Sequence, residues 1–434
     1  MNMLNIENKG NYATEAIRTE QVMKKAAGAE MQQPLSIFKG ENSKVSSENK
    51  LPWICEDKNG VQRIDVTKLA LYIRENVPYY YIQTPAGNTK KWYLYNESKY
   101  VKVSSDEVKG MIKSFVPPEA AKPSDINKVF SAISTDCFNS SHKLSPGEFD
   151  TDENIINFTN GIYDIRERTL KKHSPEYKSS LQIQCDYKPV SECENNGVFD
   201  AFINHFFNGN QEQIELMLQI LGLSLSCLDA TRAKQAVFIL GDGNTGKSLL
   251  KKLAIKLIGS EYNSSIDLKT METRFGSSAL LDKRIAGSHD MSFEFVKELN
   301  TFKNITGGDS VNSEFKGQNY FELKFRGLLW FCCNQMPHFG GDRGDWVYSR
   351  ICILKALGKV YDLSTEPFEG IVYRNPNLLN ELWEEREYIV SRAIEALHKY
   401  IDNNEKFSTT ELNDKYLEEY KRTNSSVISY NKIW

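Results

Sequence analysis
The spacing of apolar residues changes several times along the chain, and each change marks a different kind of structure. Residues 1–50 are polar, with scattered Gly, Asn, Ser and Lys and no sustained period beyond a short helical stretch near Ala13 to Ala27. That pattern predicts a flexible N-terminal arm. From Leu51 the period alternates. VTKLALYIREN and VKGMIKSFV carry apolar residues three and four apart, as helices do, whereas YYYIQT and KWYLYNESKYVKV read as strands on either side of a Gly87-Asn88 turn. INFTNGIYDIRERTLKKHSP alternates about Asn160 and Gly161 and predicts a hairpin. Residues 51–195 are therefore expected to form a small α+β domain. FDAFINHFF and QIELMLQILGLSLSCL are amphipathic and predict a helical collar over 196–232. Over 233–358, AVFIL, RIAGS, LLWFCC and ICILK are short apolar runs separated by polar or helical stretches. Buried parallel strands read that way, so the expected class is α/β with a central parallel sheet. LLNELWEEREYIVSRAIEALHKYI and LNDKYLEEYKR predict a polar-faced helical segment within 359–434.

Composition narrows this further. With 434 residues, 40% hydrophobic, 26% charged and 11% aromatic, the chain has enough apolar surface for two or three folding units and is not a low-complexity or fibrous protein. No run of about 18 apolar residues occurs, and the start MNMLNIENKGNYATEAIR has no apolar stretch behind its charges. A cytoplasmic protein with no membrane partner is the expectation. The eight cysteines form no C-x-x-C pair, and no His cluster has zinc-finger spacing, so no structural metal is expected. Cys332, Cys333 and Cys352 lie in apolar runs and read as core residues. The 54 basic and 57 acidic residues leave a formal charge of −3, so any contact with nucleic acid must be local.

The strongest chemical signal follows AVFIL at once. Gly241, Asp242, Gly243, Asn244, Thr245, Gly246, Lys247 and Ser248 match G-x-x-x-x-G-K-[ST], and the helical pattern LLKKLAIKLIG closes on Gly259. Glycines let main-chain N–H groups curl about phosphates, and the helix N-terminus adds a favourable dipole. Lys247 would reach the β and γ oxygens, and Ser248 would ligate Mg²⁺, so ATP with Mg²⁺ is the expected cofactor pair. Farther on, RIAGS ends in His289 and Asp290, where an acid would hold the magnesium shell. Glu294 follows and either orients the attacking water or begins the next helix. LLWFCC ends in Asn334, either a turn residue or a γ-phosphate sensor. Arg350 opens ICILK, with Arg343 shortly before it; either could be a surface ion-pair partner, and Arg350 is the preferred candidate for an arginine offered to a neighbour's ATP.

Taken in order, FILGDGNTGKS, FGSSALLDKRIAGSHD, KNITGGDSVNSEFKGQNYFELKFRGLLWFCCN and GDWVYSRICIL resemble the superfamily 3 AAA+ helicases of the phage and plasmid primase-helicase family. Within it the chain resembles replication initiator (Rep) helicases of staphylococcal pathogenicity islands. INFTNGIYDIRERTLKKHSPEY is similar to the domain that precedes the helicase there, so the resemblance spans roughly residues 55 to 425. It implies that 233–358 is the P-loop ATPase core and that a β-hairpin near Val311 to Phe325 grips one DNA strand in the channel of a ring. Lys316 and Gly317 fall at its tip, and Lys303 is a weaker DNA candidate. Phe315 and Tyr320 either stack on bases or simply pack. Six copies in a ring would build a positive collar that a near-neutral subunit lacks.

The chain departs from the family in two places. His289 takes the first place of a usual acid pair, leaving the water-activating base open, and Trp346-Val-Tyr-Ser-Arg350 replaces a Trp-Arg-Arg run. Primase signatures are missing, and Asp150-Thr-Asp152 reads as the start of a turn, so a separate primase is the implied partner. A C-terminal winged helix for origin recognition has no visible counterpart before NSSVISYNKIW, which leaves that module absent or truncated. The expected function is an ATP-dependent, hexameric DNA helicase of 3′ to 5′ polarity acting on single-stranded and forked DNA in replication of a mobile element. The alternative is a P-loop ATPase that assembles on DNA as a loader or scaffold without unwinding.

Overall fold
The computed structural model describes residues 51–83, 90–135, 142–291, 295–317, 319–340, 346–408 and 410–431. The expected N-terminal arm, the Gly87-Asn88 turn, Glu294 and Arg343 lie outside the described residues. The chain divides into two compact units, and the stretch 51–195 contributes to both. No helix among the described residues is long and apolar enough to cross a membrane.

The smaller unit takes residues up to Val77 and the segment Ser105–Asp136. Strands β1 (Ile54–Glu56) and β2 (Gln62–Ile64) form an antiparallel hairpin, its turn held by Asp57, whose carboxylate accepts from the backbone of Asn59 and Val61. Helix α1 (Val66–Asn76) starts where Asp65 accepts from the Lys68 amide. It buries Leu69, Ala70 and Ile73, spaced three and four apart, and packs on α3 (Pro123–Thr135) together with α2 (Ser105–Ser114).

The larger unit begins with a sheet of order β5-β4-β3-β6, formed by β3 (Tyr79–Gln83), β4 (Lys90–Tyr95), β5 (Tyr100–Val103) and β6 (Lys143–Leu144). KWYLYNESKYVKV is two strands, not one. Asn96 folds the chain back because its side-chain oxygen accepts from the amides of Ser98 (3.2 Å) and Lys99 (2.8 Å), with Glu97 at φ 71°. The expected hairpin is present as β7 (Ile155–Phe158) and β8 (Gly161–Asp164), extended by β9 (Thr169–Lys171), with Thr159 and Asn160 in the turn.

The central sheet is wholly parallel, in the order β11-β12-β16-β10-β18. Its strands are β10 (Ala236–Leu240), β11 (Asn263–Ser264), β12 (Ile285–Ala286), β16 (Leu328–Cys333) and β18 (Ile351–Lys355). β10 lies inside the sheet. The chain leaves it for the far edge, returns through β12 and β16, and only then crosses to β18 on the other side. That reversal makes the carboxyl end of β10 a topological switch point, where ligands of open α/β sheets gather.

Both sheet faces are buried, which is why these strands read as unbroken apolar runs. Val237, Ile239, Trp330, Cys332 and Leu354 join one core with residues of α5 (Gln211–Leu225), α6 (Lys247–Ile258) and α10 (Arg386–Asp402). Phe238, Phe331, Cys333 and Ile353 join another with α8 (Asn300–Gly307), the hairpin of β14 (Val311–Ser313) and β15 (Phe321–Leu323), and α11 (Glu411–Asn431). Cys332, Cys333 and Cys352 are free and buried, as plain core packing requires. Helix α4 (Val198–Phe206) is capped from far along the chain by Glu385, whose carboxylate accepts from the amides of Asn196, Val198 and Phe199.

Helices α5 and α10 pass so closely at Gly222 that a Cβ there would lie 2.2 Å from the Ala393 carbonyl oxygen and 2.9 Å from Leu397 Cβ. Gly222→Ala must force the helices apart. The expected loss is about 1–3 kcal/mol, seen as a lower denaturation midpoint of the larger unit; an unchanged midpoint would show that the helices part freely.

Candidate functional site
The loop from Gly241 to Gly246 leaves β10 at this switch point and turns into α6. Asn244 (φ 61°) and Gly246 (φ 86°) hold left-handed backbone, a conformation Gly takes freely and Asn tolerates. Thr245 Oγ1 donates to the Asp242 carbonyl at 2.9 Å and closes the loop. Lys247 opens α6 and is only 7% exposed. Its ammonium donates to the carbonyls of Gly241 (2.7 Å) and Asp242 (2.6 Å), to Asn334 Oδ1 (3.0 Å) at the tip of β16, and more weakly to Thr245 Oγ1 (3.3 Å). Burial pulls its pKa below the usual lysine value. Ser248 Oγ donates to the His289 carbonyl at 3.1 Å, just past β12, and Asp290 follows, exposed. Lys247, Ser248, Asn334 and the backbone before Asp290 are thus gathered at one edge of the sheet from three separate stretches of sequence.

Arg350 is not at that edge. β10 and β18 run parallel with Ala236 opposite Ile351 and Leu240 opposite Lys355, so Arg350 precedes the start of β18 while the loop follows the end of β10. Its Nη1 donates to the Lys303 carbonyl and to Thr306 Oγ1, both at 3.0 Å, at the end of α8. Lys303 is exposed, its Nζ 5.2 Å from the centre of the Trp346 ring, and Arg350 flanks the same ring at 5.8 Å. The β14–β15 hairpin feeds through residues 324–327 into the start of β16 and so belongs to this opposite edge as well. Lys316 and Gly317 (φ 78°) are exposed in its connecting loop. Phe315 stacks on Phe321 with ring centres 5.2 Å apart, a packing role, whereas Tyr320 is 63% exposed.

Two features of the loop's surroundings escape a reading of the sequence. Arg374 donates to Asn244 Oδ1 at 2.7 Å, and the Val360 amide to the Asn244 carbonyl at 2.8 Å, so the segment after β18 fastens onto the loop's tip. No local pattern announces a bond across 130 positions. Lys251, one turn beyond Lys247, is fully buried. Its signal was available: it falls i+4 from Lys247, on the face that carries Leu250 and Ala254.

Among the described residues no three His, Cys, Asp or Glu side chains converge as a metal cage. Among the oxygens at this edge are Ser248 Oγ, Asn334 Oδ1 and the carboxylates of Asp242 and Asp290, both of which act electrostatically on Lys247. Such a sparse set suits Mg²⁺, which keeps several waters and binds through one or two carboxylates together with phosphates of its ligand. Of the Asp150 and Asp152 pair only Asp152 holds a local turn, accepting from the Asn154 amide (3.0 Å), whereas Asp150 accepts from the amides of Ser180 (2.7 Å) and Leu181 (2.9 Å) far along the chain.

Fold and site together define a parallel α/β unit with a glycine-rich loop and a buried lysine at its switch point. Residues 239–350, which contain that loop, match a family of unknown function, DUF5906. Residues 81–208 match the family described as D5 N terminal like. Among solved structures, an A-form apo structure of the NrS-1 C-terminal region aligns with 82% of this chain and 74% of its own at 11% identity and a TM-score of 0.47. A further apo structure of the same region aligns with 84% of this chain and 76% of its own at 12% identity and a TM-score of 0.46.

Proposed function
We propose that the chain is a subunit of an ATP-driven DNA helicase of the superfamily 3 AAA+ class, serving replication of a mobile genetic element. The observation that carries this is the 3.0 Å hydrogen bond between Lys247 Nζ and Asn334 Oδ1, which joins the loop lysine to a neighbouring strand tip 87 positions away. The match of 81–208 to a D5 N terminal like family supports it, since a domain of that kind precedes the ATPase core in the phage and plasmid primase-helicases that the sequence resembles.

In this proposal the loop amides and the N-terminus of α6 receive the phosphates. Lys247 exchanges neutral carbonyl acceptors for β and γ oxygens, a charge-assisted and stronger bond. Ser248 and Asp290 hold Mg²⁺, which offsets charge on the phosphates. Asn334 contacts the γ-phosphate, and β16, buried along its whole length, links it to the hairpin at the other end. Hydrolysis at one edge of the sheet is thereby tied to a DNA grip at the other, in a ring whose neighbours supply Arg350. Lys316 meets the DNA backbone as a point charge.

The second reading, a loader or scaffold that does not unwind, is favoured by His289 standing where a second acid would be. Forked DNA separates the two. The wild type is expected to displace a strand with ATP, and Lys316→Ala to lose displacement while keeping hydrolysis within about threefold, since a hairpin-tip lysine lies away from the chemistry. Hydrolysis without displacement by the wild type supports the loader instead.

A further inference from the structure
Lys251 is 0% exposed, and among the described residues no carboxylate forms an ion pair with it. A lysine buried without a counter-charge is costly, and burial pushes its pKa down to about 8. What offsets the cost is saturation of its three donors. The ammonium donates to the main-chain carbonyls of Gly287 (2.6 Å), Ser288 (3.2 Å) and Trp330 (2.7 Å), reaching from α6 to two adjacent strands.

Those carbonyls mark an irregularity in the sheet. Ala286 pairs with Leu329, and the next bridge joins Met291 to Cys333. Five steps on the β12 side therefore match four on the β16 side, so one extra residue is accommodated between 287 and 290. A bulge of this kind bends its strand and re-aims the side chains it carries. Gly287 makes it possible: at φ 140° it lies so close to β16 that a Cβ would sit 2.2 Å from the Trp330 carbonyl oxygen, one of the three that Lys251 grips. The residues re-aimed are His289, whose carbonyl receives the Ser248 hydroxyl, and Asp290.

We propose that Lys251 is a positioning residue of the nucleotide site, clamping both sides of the bulge so that Asp290 leaves β12 in a fixed direction relative to Ser248. The proposal rests on the nucleotide reading above. Lysine suits the task because a long stem with three donors can bridge one helix to two strands. Methionine fills similar volume yet donates to none of the three carbonyls, so the bulge is free to relax and Asp290 to shift. Lys251 touches neither phosphate nor metal itself and acts only through the backbone it holds.

The test compares Lys251→Met and Lys251→Gln with wild type in the full chain, reading affinity for a fluorescent ATP analogue in EDTA and in Mg²⁺, then kcat and KM. Metal-free affinity is expected to stay within about threefold, while the gain in affinity from Mg²⁺ and kcat both fall about 10- to 100-fold, the usual cost of losing a residue that orients a metal ligand. KM for ATP, taken in Mg²⁺, rises with the affinity lost there. Should Lys251→Met fail to melt cooperatively, Lys251→Gln, which keeps two donors, bears the test alone. Folded variants with wild-type Mg²⁺ dependence and kcat overturn the role of Lys251. A wild type that binds no nucleotide in either buffer overturns instead the reading beneath it.

Discussion

Lys247→Ala is expected to lower ATP turnover at least about a hundredfold, close to 2.7 kcal/mol of lost transition-state stabilisation, and to abolish strand displacement with it. The size of the effect follows from where the ammonium sits. It is 7% exposed, at the N-terminus of α6, and bound to Asn334 on the adjacent strand tip, so its charge acts in a setting with little water to screen it. Its own fold contribution is smaller. Asp242 is exposed, so solvent can replace the donor its carbonyl loses, whereas the Gly241 carbonyl is buried and left short of a partner, and stability should fall by about 1–2 kcal/mol. Turnover and melting temperature measured on the same preparation separate the two effects. A variant that hydrolyses ATP at the wild-type rate would make Lys247 a loop-closing residue and nothing more.

The parts of this fold that could be read from the residues are those whose physics is local. AVFIL, LLWFCC and ICILK are recognisable because strands buried on both faces need apolar side chains at every position, and Gly241 to Ser248 because a tight loop entering a helix needs those residue types. The hairpin near Val311 to Phe325 was legible only through the family likeness, since β14 and β15 are three residues each. What stayed hidden depends on partners far away in sequence. β11 is just Asn263 and Ser264, held in the sheet by β12 and not by any apolar pattern of its own. The split of KWYLYNESKYVKV turns on one asparagine side chain. The bulge before Asp290 exists only as a mismatch between two strands, and although Lys251 falls on the apolar face of α6, nothing in one dimension shows which carbonyls it reaches. Arg350 is a further case: the order of motifs offers it to a neighbour's ATP, but only the register of β18 against β10 shows that it lies at the edge of the sheet away from its own loop.

That displacement makes the Arg350→Ala result informative. Ile351 and Lys355 lie four residues apart on β18, and at about 3.3 Å per residue the loop beyond Leu240 is some 13 Å or more from Arg350, too far for its side chain to reach its own phosphates. If Arg350 acts in hydrolysis, it acts on a neighbouring subunit. Its present hydrogen-bond acceptors, the Lys303 carbonyl and Thr306 Oγ1, are neutral groups that a phosphate outcompetes, and the Asp309 carboxylate nearby acts on it through space alone. Arg350→Ala is therefore expected to cost about a thousandfold or more in turnover, as removal of an arginine finger does, with nucleotide affinity little changed. Asp290→Ala should also be inactive alone. Mixing the two inactive chains is the decisive measurement, because an Arg350→Ala subunit keeps an intact Asp290 and an Asp290→Ala subunit keeps an intact arginine, and where the second faces the first a complete site is restored. Recovered hydrolysis in the mixture means shared sites. Loss in Arg350→Ala without recovery on mixing would place the arginine's effect inside its own subunit, through α8 and Trp346, and full activity of Arg350→Ala would leave it a packing residue.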